Sequence, residues 1–303
     1  MKIIDRVDKA FDYLLNQPSY LLPLRLTLLL FIFYGGIPSP FLGTLLKILS
    51  GIMIIYPPLT TSGFMWVIIS AIQVFYNAFY WVIFPNPHYL ITYWSITCTI
   101  VVFSENPENV MKWNARMLIG LCFLFAAAWK FIGGDYLDGT LQHFVFLIDR
   151  RLENFSSLFG LGNDALAQNR ALLDLLREVP GEDVGVTLKT TPGMHLFSVI
   201  TSYWTILIES SIAVFFLLSR PKWLEKVRNF LLIVFVISTY FFFPVPSFAF
   251  IITLLGFAQC SIRMKKTRVT YLILLAMLPL STLPMSLPKL IKTFTGYLLS
   301  FTA

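Results

Sequence analysis

The chain has 303 residues, 57% of them hydrophobic and 13% charged, with a mean hydropathy of +0.74. A soluble domain carries about 25% charged residues, so too little polar sequence is present to cover a water-soluble fold of this size. The net charge of +7 sits in short clusters between apolar runs, the pattern of membrane orientation. No zinc-finger or helicase-like signature accompanies it, so no nucleic-acid partner is expected.

Residues 1–20 alternate Ile3, Ile4, Val7, Phe11, Leu14 and Leu15 with Lys2, Asp5, Arg6, Lys9 and Asp12, which predicts an interfacial amphipathic helix. Apolar segments follow at 21–37, 41–57, 63–84, 88–103 and 112–132. After a polar stretch at 133–194 come 195–219, 225–243, 245–261 and 269–288. About nine membrane segments are therefore expected in an all-α polytopic transmembrane bundle, read as one domain over 1–303. Arg220, Lys222, Lys226 and Arg228 form one basic loop, and Arg263, Lys265, Lys266 and Arg268 another. With an odd number of spans, both fall on the side of the N-terminus, which the positive-inside rule assigns to the cytoplasm. The 133–194 region then faces out. Within it, Asn163 to Val179 reads as an amphipathic helix, and Leu141 to Ile148 as a short re-entrant or interfacial piece. Cys98, Cys122 and Cys260 lie in apolar runs and read as small hydrophobes, with no metal cluster.

Polar groups inside apolar segments are the candidates for chemistry. Glu209 is one, in Trp204-Thr-Ile-Leu-Ile-Glu209, as either a structural pair or a cavity-lining group. It is expected to point into the bundle and meet a polar partner. Lys130 follows three alanines and Trp129 near the outer end of its segment, as a snorkelling anchor or, if neutral, a general base. The second role requires Asp135 and Asp138 to point away. His88 opens its segment at the same expected level, and His195 opens another. Gly133-Gly134 lacks the strand–turn–helix setting of a dinucleotide loop.

Ala128-Trp129-Lys130-Phe131 followed by Asp135-Tyr136-Leu137-Asp138-Gly139 resembles a segment of the vitamin K-dependent gamma-carboxylases and their bacterial relatives, the horizontally transferred transmembrane (HTTM) domain proteins. Asn86-Pro-His88-Tyr89-Leu90 and Ile206-Leu-Ile-Glu209 resemble two further segments, in family order, so that the likeness spans about residues 10–285. The resemblance implies a membrane enzyme, placed by its bacterial relatives in an inner membrane. It would oxygenate a reduced naphthoquinone such as vitamin K hydroquinone with O2. The strong base so formed would remove a proton from a substrate that CO2 can then capture. Lys130 would be the initiating base and His88 a support for the carbanion chemistry. Trp129, Phe131, Tyr89 and Glu209 would border the quinone. Lipids, the quinone and a secreted peptide are the implied partners, and no metal is needed.

The chain departs from the family at three points. It lacks the large luminal portion of the animal enzyme, carries no histidine around Ser238-Thr239-Tyr240, and inserts Gly133-Gly134 after the lysine segment. A non-enzymatic maturation or export partner of a secreted peptide, or a transporter, are the alternatives. No internal repeat favours the transporter.

Overall fold

The structure is a computed structural model that describes residues 17–35, 37, 39–82, 86–178, 185–218, 223–242 and 245–281. The interfacial helix expected over 1–20 and the end of the last segment, 282–288, therefore fall almost wholly outside the described residues.

The described residues are all-helical, with no strand among them. In chain order the helices are α1 (Leu21–Tyr34), α2 (Pro40–Ile55), α3 (Gly63–Phe79), α4 (Asn86–Phe103), α5 (Pro107–Gly133), α6 (Thr140–Ile148), α7 (Glu153–Leu158), α8 (Asn163–Glu178), α9 (Pro192–Leu217), α10 (Leu224–Phe242), α11 (Pro246–Ala258) and α12 (Lys265–Ser281). Each apolar segment read from the sequence is helical over most of its described residues. Two helices, α5 and α9, are long and apolar enough to cross a membrane, and α1, α2, α3 and α11 are apolar but shorter. The sequence sets several boundaries locally. Pro40, Pro192 and Pro246 stand at first turns, where a missing N–H costs nothing. The side chains of Ser39 and Thr191 cap α2 and α9 by accepting from Leu42 and Met194 N–H.

The described residues fall into two compact units, one drawn from Met1–Leu118 and Pro244–Ala303, the other from Ile119–Phe243. In the first unit, α11 is the axis. Every residue from Ala249 to Ala258 is buried, and α1, α4 and α12 pack on it. A helix apolar on all sides belongs in such a centre or in a bilayer, and here other helices cover it from Ala249 to Ala258. Around it the buried positions are often polar. Trp94 Nε1 donates to Thr27 Oγ1 at 2.8 Å, Ser70 and Thr99 share a hydrogen bond at 2.8 Å, and Asn77 donates to Thr92. The Ser19 N–H, just before α1, donates to Glu108 in the first turn of α5 at 3.0 Å.

In the second unit, α6, α7, α8 and the start of α9 enclose a small apolar core of Phe146, Leu147, Leu152, Leu161, Leu166 and Met194. Asn169, fully buried on α8, clamps it: the amide donates to Leu147 O and Lys189 O and accepts from Lys189 N–H.

The rest of this unit is set by an antiparallel register. Gly120 lies against Leu217, Lys130 meets Glu209, Gly139 lies against Val199, and the His143 ring meets the His195 ring. These pairs advance along α5 and α6 as they retreat along α9. Helices α5 and α6 thus form one broken helix laid along α9, interrupted between Gly133 and Thr140. Gly134 and Gly139, both at positive φ, bound the break. Gly139 is also required for space, since a Cβ there would stand 2.9 Å from Val199 Cγ2 and 3.1 Å from its Cα. The piece read from the sequence as re-entrant or interfacial, Leu141 to Ile148, is this second half of the broken helix.

Candidate functional site

Lys130 lies three residues before the end of α5, where the sequence alone places it near the outer end of a segment. Its partner is Glu209, on α9. Glu209 lies about 26 Å along α9 from Pro192 at 1.5 Å per residue. The end of α5 is not the end of the stack, because α6 continues beside α9 beyond the break. Lys130 consequently stands opposite a point about two-thirds of the way along α9.

Lys130 Nζ is 2.5 Å from Glu209 Oε2, with 15% and 10% of the two side chains exposed. The expectation that Glu209 points inward and meets a polar partner holds. The same ammonium lies 5.0 Å from the centre of the Tyr136 ring, in the break, and the Tyr136 hydroxyl donates to Gln142 Oε1 on α6 at 3.1 Å. The Tyr136 hydroxyl also shares a hydrogen bond with the Thr205 side chain. Cys122, about two turns before Lys130 on α5, and Tyr240 on α10 also lie within electrostatic reach of Glu209. A ring contact between Phe123 and Phe235, with centroids 4.8 Å apart, holds α10 against α5.

Asp135 and Asp138 are both exposed, as a base at Lys130 requires. Asp138 is spent on α6, accepting the Thr140 N–H at 2.8 Å. The flanking aromatics behave otherwise. Trp129 and Phe131 are 75% and 54% exposed, because neighbouring residues on a helix diverge by about 100° and Lys130 takes the inward direction. They do not join the pair. The Glu209 carboxylate and the Tyr136 ring occupy the lysine's surroundings instead. Glu209 therefore stands in direct contact with Lys130.

His88 and Tyr89 belong to the first unit. His88 is half-buried in the first turn of α4, where its carbonyl accepts from Thr92 Oγ1 at 3.0 Å. The Tyr89 hydroxyl donates to the Trp81 carbonyl. His195, at the start of α9, meets His143 with ring centroids 5.2 Å apart, and His143 Nε2 shares a hydrogen bond with Thr190 Oγ1 at 2.7 Å. Sequence reasoning did not find Tyr136 as a contact of Lys130, Gln142 as its tether, or the His143–His195 pair. The first two needed the break to be placed, and the third needed the register of α6 on α9. Among the described residues no three of His, Cys, Asp and Glu converge as a metal ion would require.

Comparisons with protein-family models, curated proteins and solved structures give no match to this chain.

Proposed function

We propose that the chain is a multi-pass membrane protein whose Lys130–Glu209 pair is a proton-handling centre. Support for the membrane comes from an inverted surface. On α3, Phe64, Val67, Val74 and Phe75 face outward while Ser70, Gln73 and Asn77 are buried. On α9, Leu196, Ile200, Tyr203, Leu207 and Val214 make an exposed apolar stripe while Ser198, Ser202 and Glu209 are buried. Scattered exposed leucines are ordinary; apolar stripes of this length opposite buried polar faces belong in lipid. The Ser19–Glu108 bond is compatible with the expected parity, since it joins the starts of the first and fifth segments, which an even number of crossings between them would put on one side.

The pair itself carries the functional reading. A lysine and a glutamate in an apolar helix stack are costly to bury and are placed there to handle charge or protons. Neither side chain is sealed, so a hydroxyl group presented from the apolar phase has a route to them. The resemblance of the surrounding segments supplies the substrate class: a reduced naphthoquinone, oxygenated with O2 and coupled to deprotonation, and with CO2 to carboxylation, of a second substrate. When bound, that ring system supplies the redox chemistry. The chain's part is to orient a hydroxyl at Lys130 Nζ: the ammonium passes its proton to the Glu209 carboxylate, the freed amine takes the proton of the hydroxyl, and the restored ammonium stays beside the new oxyanion. The site is thus a base with its counter-ion built in, in place of the isolated neutral amine that the sequence alone led one to expect.

The test is the purified chain in lipid, supplied with reduced vitamin K and O2, with epoxide followed by mass spectrometry. Epoxide well above an empty-membrane control supports the proposal. Epoxide at the control level removes quinol oxygenation and leaves the maturation-partner alternative.

A further inference from the structure

Tyr136 occupies a place that the proton-handling reading does not use. It lies in a break between two helices that otherwise run as one along α9, and it is the aromatic face against Lys130. Its ring is 5.0 Å from the ammonium and its hydroxyl is held by Gln142 at 3.1 Å. The segment that carries it begins and ends on positive-φ glycines. A Cβ at Gly134 would meet open space, so that end of the break is not packed shut, while Gly139 is wedged against Val199. One end of the segment is therefore fixed and the other loosely held. Helical hydrogen bonding is replaced here by local turns: Asp135 N–H to Gly133 O, Leu137 N–H to Gly134 O, and Leu141 N–H to Asp135 O.

A helix in an apolar stack is interrupted where the exposed backbone faces protein or a ligand site, because lipid offers its polar groups no partner. The interruption begins four residues after Lys130, and the aromatic ring it carries stands over the base. We propose that Tyr136 is a specificity-determining residue, a ring that closes over Lys130–Glu209 and yields its place to a flat, hydroxyl-bearing aromatic ligand. This rests on the reading of the pair as a ligand-facing centre. The ammonium then exchanges one aromatic face for another, so the cation–π contact is kept throughout. An aliphatic alcohol offers no such exchange and has to displace the ring without compensation. The Gln142 tether, together with the hydrogen bond to Thr205, sets how readily the ring leaves.

The test reads coverage of Lys130 without any turnover. The full chain in lipid is treated with acetic anhydride, a small membrane-permeant acylating reagent, and the rate of Lys130 acetylation is measured by peptide mass spectrometry, with Lys112 as an internal reference. Tyr136→Ala is expected to speed Lys130 acetylation by about two- to thirty-fold, the range a cation–π contact spans. Gln142→Leu cuts the tether, leaves the ring in place, and should give a smaller rise in the same direction. Unchanged Lys130 acetylation in both variants, with unfolding temperature and Lys112 labelling as in the wild type, overturns the proposal. If Tyr136→Ala fails to fold, Gln142→Leu decides alone. A chain that makes no epoxide can still show the acetylation change, and one that makes epoxide can still lack it, so the two proposals fail separately.

Discussion

Removing one member of a buried ion pair does more harm than the pair's net worth, because the survivor is left charged in an apolar setting. For Lys130–Glu209, at 2.5 Å, Glu209→Leu should cost about 3–5 kcal/mol. Glu209→Gln should cost less, since the amide retains shape and an acceptor for the lysine. The double variant Lys130→Met with Glu209→Leu should recover much of the loss. Thermal unfolding in a fixed detergent checks the order, and a double variant no better than Glu209→Leu would contradict it. Asn169 poses the same question in a neutral group. It is fully buried and binds Leu147 O, Lys189 O and Lys189 N–H at once. Asn169→Ala should therefore cost about 1–3 kcal/mol, the price of orphaned backbone groups. It should also raise amide exchange in the segment before α9, which is the sharper readout.

The broken helix formed by α5 and α6 is the element that decides where the site stands. Its two halves were both legible in the sequence, as an apolar segment ending near Lys130 and a short apolar piece from Leu141. Their alignment was not, because helix periodicity carries no information across a turn. Lys130 and Glu209 were legible as misfits in apolar runs, but their contact was not: residues 79 apart in sequence are joined only by the antiparallel register of two helices. The outward direction of Trp129 and Phe131 was hidden for a related reason, since every face of α5 near its end is apolar. At the far end of this element, burial first and the neighbouring His195 second lower the His143 pKa from 6.5. Unfolding restores the ordinary value, so the unfolded chain binds more protons just below pH 6.5 and stability is lost as pH falls through that window. His195, Thr190 and Asp138 surround this junction and complete its charge setting. Unfolding temperature measured between pH 7.5 and 5 should fall, and His143→Gln should flatten the slope. An equal slope in the variant would assign the effect to another group.

For the molecule as a whole, composition was the strongest signal, and the exterior agrees with it: large apolar side chains stand exposed along α2, α3, α5 and α9. The number of crossings was less legible, because α1 and α11 are short and α11 is buried from Ala249 to Ala258. A 13-residue helix of about 20 Å reads in sequence like a membrane segment although its surroundings are other helices. Topology is checked by single cysteines introduced at exposed Arg263 and exposed Asp174. An impermeant thiol reagent should reach position 174 from outside and position 263 from the cytoplasm alone, and the reverse would invert the assignment. The central claim is that Lys130 and Glu209 act on protons rather than merely hold α5 to α9. Exchanging them, Lys130→Glu with Glu209→Lys, keeps the ion pair but moves the base to the other helix and out from under Tyr136. The account predicts an unfolding temperature near that of the wild type together with a loss of about 10²–10⁴-fold in epoxide formation from reduced vitamin K, the usual worth of a general base. Wild-type turnover in the exchanged variant would contradict it and leave the pair a structural tie.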